Sequence, residues 1–152
     1  MSIRRAVEYN VKVRLQEVFD ENSVYQVIES MRQEERPIPA ILVVAGDAMP
    51  AFDVGELTGN YTIPFNVVVM TSADDGSVDE HSNVVQAVSA KLREPVARST
   101  SVIQNLYIYA IHGDGIVEDN QERRFGTLLS YTAVVNYAPD LGTDYVPQAR
   151  QG

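Results

Sequence analysis

The stretch from Tyr61 to Leu92 restricts the fold more than any other part of the chain. It opens with the apolar run Y-T-I-P-F-N-V-V-V-M, crosses the acidic turn T-S-A-D-D-G-S, and closes with V-D-E-H-S-N-V-V-Q-A-V-S-A-K-L. In the run, Tyr61, Ile63, Phe65, Val67 and Val69 recur at the strand period of two and share one face. Pro64 has no N–H, which places it at a sheet edge or ahead of the paired part of its strand. Beyond the turn, Val84, Val85, Val88 and Leu92 recur at three and four residues, the stripe of a helix with one buried face. Ser77 and Glu80 have the spacing of a capping box, and Asp79 suits the positive end of the helix dipole. The spacing therefore predicts a strand and a helix packed on each other. His81 falls in the first turn of that helix and is expected at the surface.

The rest of the chain adds elements on both sides. From Ser2 to Phe19, Ile3, Val7, Val11, Leu15, Val18 and Phe19 lie on one side at helical spacing, with Arg4, Arg5, Lys12 and Arg14 opposite. Ser23 and Gln26 read as a second capping box, and Val24, Val27, Ile28 and Met31 as a short amphipathic face, so a second helix antiparallel to the first is expected. Ile38 to Ala45 is a continuous apolar run, read as a buried strand bounded by Gly46. The loop from Gly46 to Gly59 carries three glycines and is a candidate contact loop.

Leu106 to His112 is aromatic and β-branched, hence a strand, and Gly113-Asp114-Gly115 is read as the turn that ends it. Arg124 to Tyr137 alternates throughout, with Phe125, Thr127, Leu129, Tyr131, Ala133, Val135 and Tyr137 on one face. Extended, it spans on the order of 45 Å at ~3.3 Å per residue. A domain of this size has a radius of gyration of roughly 15 Å. The strand must then bend, for which a bulge at Gly126 is the expected place, or project as an arm that needs a partner. From Pro139 to Gly152 no period remains, and a flexible or extended tail is expected. The predicted organisation is one α+β domain over residues 1–138, with a mostly antiparallel sheet, helices packed on it and a long C-terminal β-hairpin, followed by the tail over 139–152.

Composition narrows the chemistry. The 152 residues carry 12 Lys and Arg against 21 Asp and Glu, a net charge of −9. Such a surface opposes wrapping nucleic acid, whose affinity comes mostly from neutralised phosphates. Without cysteine there are no disulfides, thiolate metal sites or cysteine nucleophiles. The opening residues hold no apolar signal core, and no run approaches membrane-spanning length, so a soluble protein kept inside a cell is expected. His81 and His112 do not fall in a metal-binding spacing. The clusters Asp74-Asp75 to Glu80 and Asp114 to Glu122 lack the order of ligands that a Ca²⁺ loop needs and read as solvated loop charge. No nucleophile motif can be singled out. The expectation is a protein without catalytic residues, cofactor or metal.

The order of features from Phe65 to Tyr137 resembles the tail terminator proteins of long-tailed bacteriophages, also called tail completion or tail-to-head joining proteins. The likeness rests on F-N-V-V-V-M, an acidic loop, a helix opening D-E-H-S, the strand L-Y-I-Y-A-I-H-G-D-G, the turn E-D-N-Q-E-R-R and the closing strand F-G-T-L-L-S-Y-T-A-V-V-N-Y. The earlier residues share only its layout. The resemblance implies a structural virion protein that assembles in the host cytoplasm as a ring, hexameric in the family. That ring caps the tail tube, stops its elongation and joins tail to head. It implies as partners further copies of the chain, the tail-tube protein, a neck or head-completion protein and, in a contractile tail, the sheath protein. DNA would pass without specific binding, and no membrane is involved.

On that reading, Arg124, Leu128, Val134, Tyr107 and Tyr109 are the expected subunit interface. Asp74, Asp75, Glu118 and Asp119 are the expected acidic lining of the DNA passage. Another head–tail connector or a tail-tube-like protein is the neighbouring alternative. A small enzymatic or ligand-binding α+β domain, with its site between sheet and helices, is the alternative from a different class.

Overall fold

The alternating strand Arg124–Tyr137 is the centre of the molecule rather than an arm. The computed structural model describes residues 2–29, 39–50, 59–74, 76–95 and 106–137. Within these, helix α1 (Ile3–Gln16) is followed by strands β1 (Gln26–Glu29), β2 (Ala40–Ala45), β3 (Met49–Pro50) and β4 (Asn60–Ser72). Helix α2 (Val78–Arg93), β5 (Leu106–Glu118) and β6 (Arg124–Tyr137) complete the order. The described strands form one sheet in the order β1-β2-β4-β6-β5, with β3 also pairing β4. Only β1 and β2 are parallel; the other pairs are antiparallel. Strands β4 and β5 both run antiparallel to β6 and so parallel to each other, joined through α2 with β6 between them. The fold is α+β, as the patterning predicts.

Both helices cover one face of the sheet. On that face Ile63, Phe65, Val67 and Val69 of β4 and Leu129, Ala133 and Val135 of β6 are buried, together with Ile41 and Val43 of β2. The apolar stripes Val7, Val11 and Leu15 of α1 and Val84, Val88 and Leu92 of α2 close the same core. Phe65 stacks on Tyr131 across the β4–β6 pair, at 5.2 Å between centroids. Ser77 caps α2 by accepting the Glu80 N–H at 3.1 Å, and Ser2 does the same for α1 with Arg5 at 3.2 Å.

Two buried charges of α1 hydrogen-bond to the backbone of other elements. The described pairing of β1 with β2 runs to Glu29 opposite Val43, and Ala45 lies two residues beyond it. There Glu8 accepts the Ala45 N–H at 2.7 Å and the Arg4 Nε–H donates to the Ala45 carbonyl at 3.1 Å. Arg14, which spacing puts on the charged side of α1, is instead buried and donates to the Lys91 and Glu94 carbonyls at the end of α2. A cation is drawn there because the last carbonyls of a helix lack the usual intrahelical N–H partners and form the negative end of its dipole; the Lys91 carbonyl also accepts the Glu94 N–H at 3.3 Å.

Several expectations are corrected. The predicted second helix at Ser23 to Met31 is strand β1; Met31 itself lies outside the described residues. Ser23 turns the chain by accepting the Tyr25 N–H at 3.0 Å instead of capping a helix. Val27 and Glu29 then face the core, and β1 pairs with β2 in parallel register. Pro64 lies in an interior strand, yet its carbonyl accepts from Gly46 at 2.8 Å where β2 ends. A strand residue's N and O point to the same side, so the missing N–H faces the break between β2 and β3 and pairing with β2 begins at Phe65.

The strand β5 does not stop at His112. It runs through Gly113-Asp114-Gly115 to Glu118, and the chain turns at 119–123. The bulges sit in β5, between Ile108 and Ala110 and between Gly113 and Gly115, while β6 pairs β4 without interruption from Arg124 to Asn136. Gly126 is a close approach and not a bulge: a Cβ there would lie 2.4 Å from the Asp119 carbonyl oxygen. Pairing on both sides removes the need for β6 to project. Within the expected contact loop, Met49 and Pro50 pair with Thr62 and Tyr61. Residues 51–58 and the expected tail over 139–152 lie outside the described residues.

Candidate interaction surfaces

The face of the sheet opposite α1 and α2 carries an apolar row that crosses every strand of the main path. Strand registers align Ile28 with Leu42, Leu42 with Val68, Val68 with Leu128, and Leu128 with Val117. Exposure rises along the row, from 2% at Leu42 through half-buried Val68 and Leu128 to 60% at Val117. Ala40 and Met70 are buried beside its inner end. Val134 lies farther along the same face, between Thr62 and Ala110, and is half-buried. Tyr107 and Tyr109 project from the outer strand β5 and are about half exposed, at 43% and 52%. The structure thus places Leu128, Val134 and Tyr107 on the face opposite α1 and α2, with Tyr109 at the first bulge.

Arg124 is different in character. Its Nη1 approaches the Met70 sulfur at 3.5 Å and its Nη2 lies 3.7 Å from the Asp119 carboxylate. Its Nε is buried without a partner. The side chain is engaged within its own subunit and lies along the apolar row rather than reaching outward.

The two acidic loops meet at one end of the sheet. The Ala73 N–H donates to the Arg123 carbonyl at 3.0 Å, tying the turn after β4 to the β5–β6 turn. Asp74, Glu118 and Asp119 therefore share this end, with Asp79 and Glu80 of the first turn of α2; Asp75 lies outside the described residues. Asp119 faces Arg124, which leaves Asp74 and Glu118 the more available of the expected lining residues. In the turn Arg123 has φ 64°, a left-handed conformation that closes the hairpin around Gln121 and Arg124.

His81, expected at the surface, is buried beneath this end at 8% exposure. Its Nδ1 lies 2.8 Å from the Thr71 hydroxyl and its Nε2 2.8 Å from the Thr127 hydroxyl. The Phe125 ring lies beside it at 5.6 Å. Burial lowers its pKa below the ordinary value, with the Glu118 carboxylate working in the opposite direction. Both ring nitrogens are taken, so the imidazole offers no free position to a metal or a substrate. It clips the start of α2 to the two central strands. The signal for it was present in the two threonines at inward positions of otherwise apolar alternations. His112 is exposed on β5, opposite Thr132. Among the described residues no group of three or more His, Asp or Glu could hold a metal ion.

Beside α2 an open cleft of about 390 Å³ lies over β5 and β6, lined by Leu92, Arg93, Ile111, Ile116, Leu129 and Tyr131. It combines an apolar floor with one guanidinium and has no arrangement of nucleophile and base. No helix of the described residues is long and apolar enough to cross a membrane. The sequence matches no model of a known protein family and no curated protein.

Proposed function

We propose that this chain is a structural subunit of a phage tail, a tail terminator that forms a ring, caps the tail tube, stops its elongation and joins the tail to the head or neck. It acts by contact and not by catalysis. The observation that carries the proposal is the sheet face opposite α1 and α2. Its apolar row is buried at Leu42 but opens through half-buried Val68 and Leu128 to the exposed Val117, and that outer part belongs to a surface that another subunit or tube protein covers. The gathering of Asp74, Glu118, Asp119, Asp79 and Glu80 at one end supports a passage whose wall repels phosphate over about a Debye length, roughly 8 Å at physiological salt. In this reading the virion contains a homo-oligomeric ring, hexameric by analogy, between the tail-tube protein and a neck or head-completion protein.

The test is to add purified protein to tail tubes growing in vitro from their own subunits. Electron microscopy should show tubes of fixed length closed by a ring. Tubes that keep elongating, with no density at their ends, would refute the role.

A further inference from the structure

Two glycines in the middle of β5 have no conformational reason to be glycine. Among the described residues only Gly59 has the positive φ that favours it, so Gly113 and Gly115 do not need it. A Cβ at Gly113 would lie 3.8 Å from the Tyr131 ring, an ordinary contact, and one at Gly115 would meet nothing within 4 Å. Side chains would fit, and a β-branched residue would strengthen the strand. What Gly113 provides is space: paired with the inward Tyr131, it leaves open the cleft of about 390 Å³ between α2 and the inner face of β5, while Gly115 pairs with Ser130 on the opposite face.

The cleft is built for an aliphatic side chain with a carboxylate beside it. Its walls are Leu92, Ile111, Ile116, Leu129 and the face of Tyr131. The Tyr131 phenol is held by the Ser89 side chain. At the mouth, Arg93 is exposed and makes no ion pair among the described residues. Asp114, which also borders the cleft, has its carboxylate turned to the other face of the sheet, where it accepts the Thr132 hydroxyl at 2.6 Å. A cation left unpaired in a chain of net charge −9 is a complement waiting for an acid.

The chain itself carries the matching group at the opposite end of the same helix. Val78, the first residue of α2, is 65% exposed, and exposed Asp79 and Glu80 follow it without ion pairs among the described residues. A helix of 16 residues puts that turn about 22 Å from Arg93, so no subunit can fill its own cleft. We propose that the cleft receives Val78 of a second copy, with that copy's Asp79 and Glu80 carboxylates against Arg93. The contact joins two different faces, so it propagates head to tail and closes a ring where the rotation allows. It rests on the ring-forming role proposed above and names the contact that would build the ring.

Sedimentation velocity of the full chain, alone and with tail tubes, tests it through four variants. Arg93→Glu should weaken self-association about tenfold or more, and Asp79→Arg/Glu80→Arg should do the same. Combining the two reversals should restore most of the loss, which a merely local defect would not do. Gly113→Val should fill the cleft and abolish the association while leaving the monomer's thermal midpoint unchanged or higher. If Arg93→Glu and Gly113→Val assemble like the wild type, the contact is wrong while the ring role stands. If the wild type never self-associates, with or without tubes, the role falls and the contact with it.

Discussion

Replacing His81 by Leu should destabilise the subunit through the two hydroxyls it leaves behind. Thr71 and Thr127 are 6% and 5% exposed, and the imidazole nitrogens lie 2.8 Å from each hydroxyl. Leucine fills most of the ring's volume, so the loss is mainly two buried hydroxyls without their partner. At about 1–2 kcal/mol for each stranded group, the lower part of the usual range because a hydroxyl can turn toward another acceptor, a loss of roughly 2–4 kcal/mol is expected. In a chain of this length that corresponds to a fall of roughly 6–12 °C in Tm. The triple variant His81→Leu/Thr71→Val/Thr127→Val removes donors and acceptors together and should recover most of the loss, because apolar groups of the same shape leave nothing unsatisfied. Urea denaturation followed by far-UV circular dichroism gives each value, and the cycle isolates the coupling. A single variant within about 0.5 kcal/mol of wild type would refute the reasoning, as would a triple variant worse than the single. The same group sets a pH dependence. Burial lowers the folded pKa from the ordinary 6.5, so the unfolded chain takes up the proton first as pH falls. His81 should therefore leave stability unaffected above about pH 6.5 and reduce it progressively below, until the folded form is protonated too. His81→Leu should lose that part of the acid slope.

Glu8→Ala should cost about 2–3 kcal/mol, because it removes a charged acceptor from the Ala45 N–H, whereas Arg4→Ala at the exposed side of the same clamp should cost under about 1 kcal/mol. Gly126→Ala must push the Asp119 carbonyl away from 2.4 Å and should lower the unfolding midpoint by more than the few tenths of a kcal/mol usual for a surface change; hydrogen exchange at Asp119 and Gln121 would locate the damage. Leu128→Asp with Val134→Asp, on the sheet face opposite α1 and α2, should leave folded monomers that no longer cap tubes, and capping at the wild-type level would show that this face serves only its own chain. Duplex DNA should not bind the assembled protein, and tight, salt-sensitive binding in a filter or anisotropy assay would contradict the acidic-passage role.

The sequence by itself determined the elements whose periods run long. Helix α1, strand β4, helix α2 and strand β6 lie close to where spacing puts them, because a stripe of four or more apolar residues fits only one geometry. The same alternation assigns the buried faces of β4 and β6, and leaves Leu128 and Val134 on the other side. Where a segment is short, its own residues do not decide. Val24, Val27 and Ile28 fit one turn of helix as well as they fit a strand, and the open edge of β2 decided in favour of β1. Gly113-Asp114-Gly115 has the composition of a turn, but β6 continues beside it and the ladder carries β5 on to Glu118. Polar residues depended most on tertiary structure. His81 is buried because hydroxyls 10 and 46 residues away converge on it, and Glu8 because the Ala45 N–H, 37 residues away, donates to it. A polar side chain goes inside where some backbone or side-chain group has no other partner, and that group belongs to a different part of the chain.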